Sequence, residues 1–324
     1  MAAELSRDLE TMPKVRRKSR FFTSHFWAET LWAFVRAVLV LGICYIIVYP
    51  LLIKLSSSMM TEKDMYDMLV KWIPRKLNYE SIVQNYRLLY GFMDYPKALF
   101  NSLVLATTVA LLQVVSSSLI GYGLARFDFF GKNLLFALVI LTLLIPPQMI
   151  MVPLFLNFRF FDFFGIMPKS VNLLGTYWPF ILTSITGMGL RNGFFIYIMR
   201  QVFRGLPKSL EEAALVDGAG RFRTFLTIMV PGAASAMLVV FLFAFVWQYN
   251  DYQFTRMYLS NTAPLLPFSL ERLTRTFDVE QYSKEYISIL NNTGMIMFIT
   301  PLLLLYGFLQ RYFIESIERT GIVG

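Results

Sequence analysis

Apolar positions in this chain fall in long uninterrupted runs, separated by shorter polar and charged stretches. Residues 37–53 read AVLVLGICYIIVYPLLI without a charge, and Leu31 to Val35 extend the run backwards. A helix crosses the hydrocarbon of a bilayer with roughly 20 apolar residues, so this run is long enough to span. Further runs at 101–125, 134–156, 173–190, 232–249 and 291–312 predict about six transmembrane helices in all. No acid or base stands in the middle of a run under these boundaries.

Punctuation inside and between the runs refines the picture. The second run carries Ser116, Ser117, Ser118, Gly121 and Gly123, small residues that let membrane helices approach closely. The third contains Pro146-Pro147-Gln148 and Pro153. Such prolines free carbonyls that protein or a water-lined cavity must satisfy, which fits a bent helix beside a pathway and a packed kink equally. Pro50 lies near the outer end of the first run, and Pro301 and Gly307 lie in the sixth. The stretch RNGFFIYIMRQVFR at 191–204 predicts a helix that continues the fourth span into, or packs beneath, the membrane core. Residues 54–100, with Pro74 and Pro96 as breaks, predict short helices outside the membrane, and the aromatics of 157–172 suit a headgroup belt.

Composition agrees with the runs. Of 324 residues, 56% are hydrophobic and only 16% charged, against about 25% charged in soluble domains. The net charge is +9. Cations flank the apolar runs, so membrane lipid is the expected anionic partner and nucleic acid is not. Lys14, Arg16, Arg17, Lys18 and Arg20 precede the first run, which predicts a cytoplasmic tail over 1–30, a retained N-terminus and a membrane domain over 31–324. With about six spans, both termini are expected in the cytoplasm. Cys44 is the only cysteine and His25 the only histidine, so no metal cluster and no histidine-based catalysis is expected.

One polar segment carries most of the functional inference. Residues 207–231 read PKSLEEAALVDGAGRFRTFLTIMVP, within a connecting loop at 205–231. Ser209 fits a helix N-cap with Glu212 three residues on, the spacing of a capping box. Ala213 and Ala214 favour the helix, and Gly218 and Gly220 permit a sharp turn, φ > 0 included. A second helix is expected from Arg221 to Val230, stopping at Pro231. A short stiff helix with a small-residue face suits a groove on a partner, although E-A-A also occurs in ordinary helices and Glu212 can serve as a cap alone.

Glu212-Ala213-Ala214, three residues, Gly218, nine residues and Ile228-Met229-Val230-Pro231 resemble the EAA motif of ABC-importer permeases, with Val230 in place of the usual leucine. The flanks resemble the carbohydrate-uptake branch, specifically the maltose-type second permease subunit. They include WIP at 72–74, Asn85-Tyr86, Asn101-Ser102, GYGLARFDFFGK at 121–132, the stretch 194–220 and Gln310-Arg311-Tyr312-Phe313. Trp247-Gln248-Tyr249-Asn250-Asp251 resembles the family's W-N-D element with two residues inserted.

The resemblance implies an all-α membrane protein of the type I importer permease fold with a cytoplasmic coupling helix. It implies a second permease subunit, two ATPase subunits and an extracytoplasmic solute-binding protein as partners. Glu212, Ala213, Ala214, Asp217 and Gly218 map onto the ATPase-coupling element, and Arg221 and Arg223 have the charge to pair with acids there. The chain has no phosphate-binding G-x-x-x-x-G-K-[ST] loop, so it is expected to bind no cofactor and to hydrolyse no ATP itself. A sugar or oligosaccharide is the implied cargo. Gln113, Gln148, Trp247, Asn250 and Asp251 are candidate pathway-lining residues, and each also reads as a packing or rim residue. Two other classes compete. A secondary transporter predicts internal repeats and midplane charges, and a membrane-embedded enzyme predicts a clustered nucleophile, base or metal set. An importer of non-sugar solutes differs only in the flanking resemblance.

Overall fold

The computed structural model describes residues 24–321, apart from Met68, Lys71, Trp72, Lys76, Phe163, Phe164, Met167, Asn261, Thr262 and 278–281, and without the side chains of 24–26 and 312–321. The basic cluster Lys14 to Arg20, the His25 side chain, Trp72 and the side chains of the C-terminal tail lie outside the described residues. The chain divides into two compact units, Met1–Ser56 and Ser57–Gly324.

The first unit is dominated by α1 (Ser24–Ser58), which contains the expected first span. It runs through Pro50 without interruption, at the cost of the one hydrogen bond a proline cannot donate. Residues 27–48 are exposed on every face, an apolar surface that water would not tolerate.

In the second unit, short helices α2 (Glu62–Tyr66) and α3 (Tyr79–Phe92) precede α4 (Tyr95–Arg126). The second span therefore begins earlier than its apolar run. Pro96 is not a break but part of the first helical turn, where a missing N–H is no loss. Helix α4 is the centre of the unit. It packs on α7 (Trp178–Ile185), α8 (Asn192–Gly205) and α12 (Ala234–Asn250). The small residues permit this closeness: Ser116, Ser117 and Ser118 are buried, and a Cβ on Gly121 would stand 2.8 Å from Met199 Cβ. Gly123 faces open space and plays no such part.

The third run is two helices, α5 (Lys132–Leu144) and α6 (Pro147–Arg159), bent by 105° where Ile145 and Pro146 leave helical geometry. The fourth is also interrupted. After α7 the chain closes a Schellman turn: Gly187, at φ +78°, donates to Ser184 O, and Met188 donates to Thr183 O. The helix resumes as α8, so only eight residues of the expected 173–190 span are helical before the break.

Helix α9 (Lys208–Val216) follows, then α10 (Arg221–Thr224), a π turn over Phe225–Met229 and α11 (Val230–Gly232). The expected stop at Pro231 is displaced to Ala233. The wider i→i+5 turn, in which Val230 N–H bonds Phe225 O, carries the helix past the proline. A 76° bend then leads into α12. Beyond it lie α13 (Gln253–Leu259), α14 (Leu266–Thr276) and α15 (Lys284–Gly321).

Pro301 inside α15 leaves the carbonyl of Met297 without its helical donor. The Tyr95 hydroxyl donates to Met297 O at 2.9 Å and the Tyr249 hydroxyl to Phe298 O at 2.9 Å. Phenols from α4 and α12 thus serve the carbonyls one turn before Pro301. Among the described residues, three helices are long and apolar enough to cross a membrane, Trp27–Ser58, Tyr95–Arg126 and Lys284–Arg311. The bent pairs α5–α6 and α10–α12 raise the number to five if each is one crossing.

Candidate functional site

The polar segment between α8 and α12 builds a projecting helix with a braced inner face and an open outer face. Leu206 and Pro207 are extended, which ends α8, and α9 starts at Lys208 with Pro207 as its N-cap. Ser209 therefore sits inside the first turn and makes no capping bond, so the expected Ser209–Glu212 capping box is absent. The helix begins one residue too early for it, because Pro207 already has the backbone angles an N-cap needs. A capping box does occur elsewhere, between Thr61 and Asp64.

The inner face is ionic. Glu211 Oε1 lies 2.6 Å from Arg126 Nε at the end of α4, and the two side chains are only 17% and 5% exposed. The Arg126 Nε–H is not aligned on that oxygen, so this is an ion pair rather than a hydrogen bond. The guanidinium also donates from Nη2 to Leu206 O at 2.6 Å. Removing either charge would strand the other in a poorly solvated site. Ala214, one turn beyond Glu211, is buried beside it.

The C-terminus of α9 is a second Schellman turn. Asp217 is the C-cap, Gly218 stands at φ +81° and donates to Leu215 O, and Ala219 donates to Ala214 O at 2.9 Å. These backbone bonds hold the turn. The Asp217 carboxylate is exposed and makes no hydrogen bond or ion pair among the described residues. Gly220 adopts ordinary extended angles instead.

The outer face presents Glu212, Ala213 and Val216, with Leu210 and Leu215 on either side, all exposed. Val216 is 87% exposed and Phe222, just past the turn, 68%. Arg221 and Arg223 are exposed as well, with Arg221 lying over the Phe127 ring at 5.3 Å.

The five pathway candidates do not form one site. Gln113 is buried and its Nε2 donates to Leu190 O at 3.3 Å, stitching α4 to the break before α8. Gln148 donates to Gln253 Oε1 at 3.4 Å at an exposed position. Asn250 bonds back to Val246 O within its own helix. Asp251 caps α13, accepting from Thr255 N and Thr255 Oγ1, both at 2.8 Å, and from Phe254 N. Burial raises its carboxyl above the ordinary range, and those bonds oppose the shift. Trp247 stacks between Phe195 and Phe243 and carries Arg191 over its ring at 4.5 Å.

Arg191 was missed by the sequence reading. Its apolar run ends at 190, and the helix resumes only at Asn192, as α8. The signal that identifies it is Gly187-Met188-Gly189 just ahead, which marks the break between α7 and α8.

Long apolar helices, bent at prolines and glycines and carrying a polar helical projection, define a multi-pass membrane protein. The chain belongs to the family described as binding-protein-dependent transport system inner membrane component, whose profile matches residues 117–319. It is a permease subunit of an ATP-driven importer. Over 69% of its length it is 31% identical to the arabinooligosaccharides transport system permease protein AraQ of Halalkalibacterium halodurans, of which 73% is covered. It is 29% identical to the osmoprotective compounds uptake permease protein GgtD of Synechocystis, over 86% of this chain and 89% of that one. Its fold matches a chain in the crystal structure of a bacterial ABC transporter that imports the acidic polysaccharide alginate. That match has a TM-score of 0.64 and 21% identity, over 88% of this chain and 98% of the other.

Proposed function

We propose that α9 is the coupling helix of this importer, and that the chain moves a sugar or oligosaccharide inward with a second permease, two ATPases and an extracytoplasmic solute-binding protein. In this reading α9 lies in the cytoplasm and both termini face the same side. The α7–α8 pair, taken with its break, supplies a sixth crossing. The observation that carries the reading is the two-sided character of α9. Its inner face is tied to α4 and α8 through Glu211, Arg126 and Leu206, while its outer face offers Glu212, Ala213 and Val216 to a groove.

Such a joint suits force transmission. ATP closes the ATPase pair, the docked helices move as rigid levers, and the ionic brace passes the motion to the ends of α4 and α8. Moving a two-state equilibrium from 1:99 to 99:1 takes about 5.5 kcal/mol, which a loose solvated contact would not carry. The chain itself binds no cofactor, since nucleotide chemistry resides in the ATPases. Sugar as cargo is supported by the name of AraQ. The name of GgtD keeps an alternative, a small compatible solute, in view.

Gly218→Pro tests the coupling role. Proline cannot adopt φ +81°, so the turn must open. We expect normal membrane insertion with loss of uptake and of substrate-stimulated ATP hydrolysis. Wild-type transport by this variant would remove the turn from the mechanism.

A further inference from the structure

Arg191 is a cation at the start of α8 with no acid beside it among the described residues. It caps α8 in the left-handed region, at φ +57° and ψ +20°, a conformation that costs a non-glycine residue about 1 kcal/mol or more. Among the described residues it forms no ion pair, and its guanidinium is exposed apart from the Trp247 ring at 4.5 Å. Trp247 itself stacks with Phe195 and Phe243, with ring centroids 5.3 and 5.7 Å away. The cation therefore sits on a rigid platform.

Its depth follows from the helices. At about 1.5 Å per residue, Arg191 stands about 20 Å from the Gly205 end of α8, and Trp247 about 20 Å from the start of α12. Gln113 stands about 20 Å from the Arg126 end of α4. These three ends meet at Leu206, whose carbonyl takes the Arg126 bond and whose Cδ1 would lie 3.3 Å from a Cβ on Gly232. Arg191, Trp247 and Gln113 thus share one level deep within the crossing. From there an arginine cannot reach an interface by stretching, and an unpaired guanidinium facing lipid is strongly disfavoured. It must face water.

We propose that Arg191, seated on Trp247, lines the translocation pathway and makes its middle electropositive, favouring solutes that carry a carboxylate or sulfonate, sugar acids among them, over cationic ones. This rests on the reading of the chain as an importer permease.

The probe is a thiol at Met188, which is 79% exposed beside the break, in a Cys44→Ser background. In membranes holding the whole transporter, Met188→Cys is labelled with an anionic sulfonatoethyl and a cationic trimethylammonium-ethyl methanethiosulfonate. Each rate is normalised to that of a free thiol. The expected anionic-to-cationic ratio is about threefold or more, from one charge within several ångströms in a wet site. Arg191→Gln should bring it to unity, and Trp247→Leu, which frees the cation, should lower it. Absence of labelling by either reagent, or a ratio unchanged in Arg191→Gln, overturns the proposal. Uptake by the Cys44→Ser parent, with Met188 intact, is scored separately. Labelling bias without ATP-dependent uptake would defeat the importer reading and spare Arg191.

Discussion

Three side chains of this protein do work that their positions in the sequence conceal. Tyr95 and Tyr249 look like aromatic residues at the outer ends of two helices, yet the Tyr95 hydroxyl serves the Met297 carbonyl that Pro301 leaves free and the Tyr249 hydroxyl bonds its neighbour Phe298 O. Tyr249→Phe removes a donor and leaves Phe298 O without that bond in a low-dielectric setting. We expect a loss of about 1 kcal/mol, seen as a lower midpoint of thermal unfolding in detergent, with little change in fold. Arg126 reads as an ordinary basic residue ending a span. Its pairing with Glu211 makes it a strut. Arg126→Gln or Glu211→Gln should each cost about 3 kcal/mol, because each strands a partner charge. The double substitution should recover part of that stability but not the coupling of ATP hydrolysis to uptake. A loss in the double variant equal to the sum of the two single losses would show that the two groups act independently.

At the level of elements, apolar run length located the cores of the long helices but misplaced their ends. The second span starts at Tyr95 rather than at 101 because Pro96, a breaker within a helix, is a starter at its first turn. The break in the third run was legible in Pro146-Pro147, whereas its 105° angle depends on packing that no local pattern specifies. Helix α9 was legible in length and in its glycine turn. Its capping was not, since Ser209 and Pro207 compete for one position and only the path of the chain out of α8 decides. The outer face of α9 leads to a sharp expectation. Val216→Asp touches nothing in this chain, so expression and thermal midpoint should match the wild type. Uptake should fall by at least about tenfold, since a desolvated, unpaired carboxylate in an interface costs a factor of that order.

Within the second unit α7, α8 and α12 pack on α4, and its helices are broken in different places for different reasons. Bends at Ile145–Pro146 and at Ala233 change the direction of the chain, and the break at Gly187 to Arg191 sets a strained cation beside a tryptophan at the level of Gln113. The pathway candidates chosen from sequence as amides and acids became mostly helix stitches and caps, because a buried amide bonds a carbonyl wherever one is free. Gln148 and Asn250 stay exposed, and half-buried Trp247 carries Arg191 over its ring. What sequence could not convey is which side chains meet across 70 or more residues, as Arg126 meets Glu211 and Gln113 meets Leu190.

All of this turns on α9 meeting the motor from inside the cell. A photoreactive benzophenone amino acid at Val216, activated in intact cells making the complete transporter, reads that contact directly. The expected product is a covalent adduct containing peptides of the ATPase subunit, formed without exposure to the outer medium. An adduct free of ATPase peptides, or reaction of a Val216→Cys thiol with an impermeant reagent added outside, would contradict it.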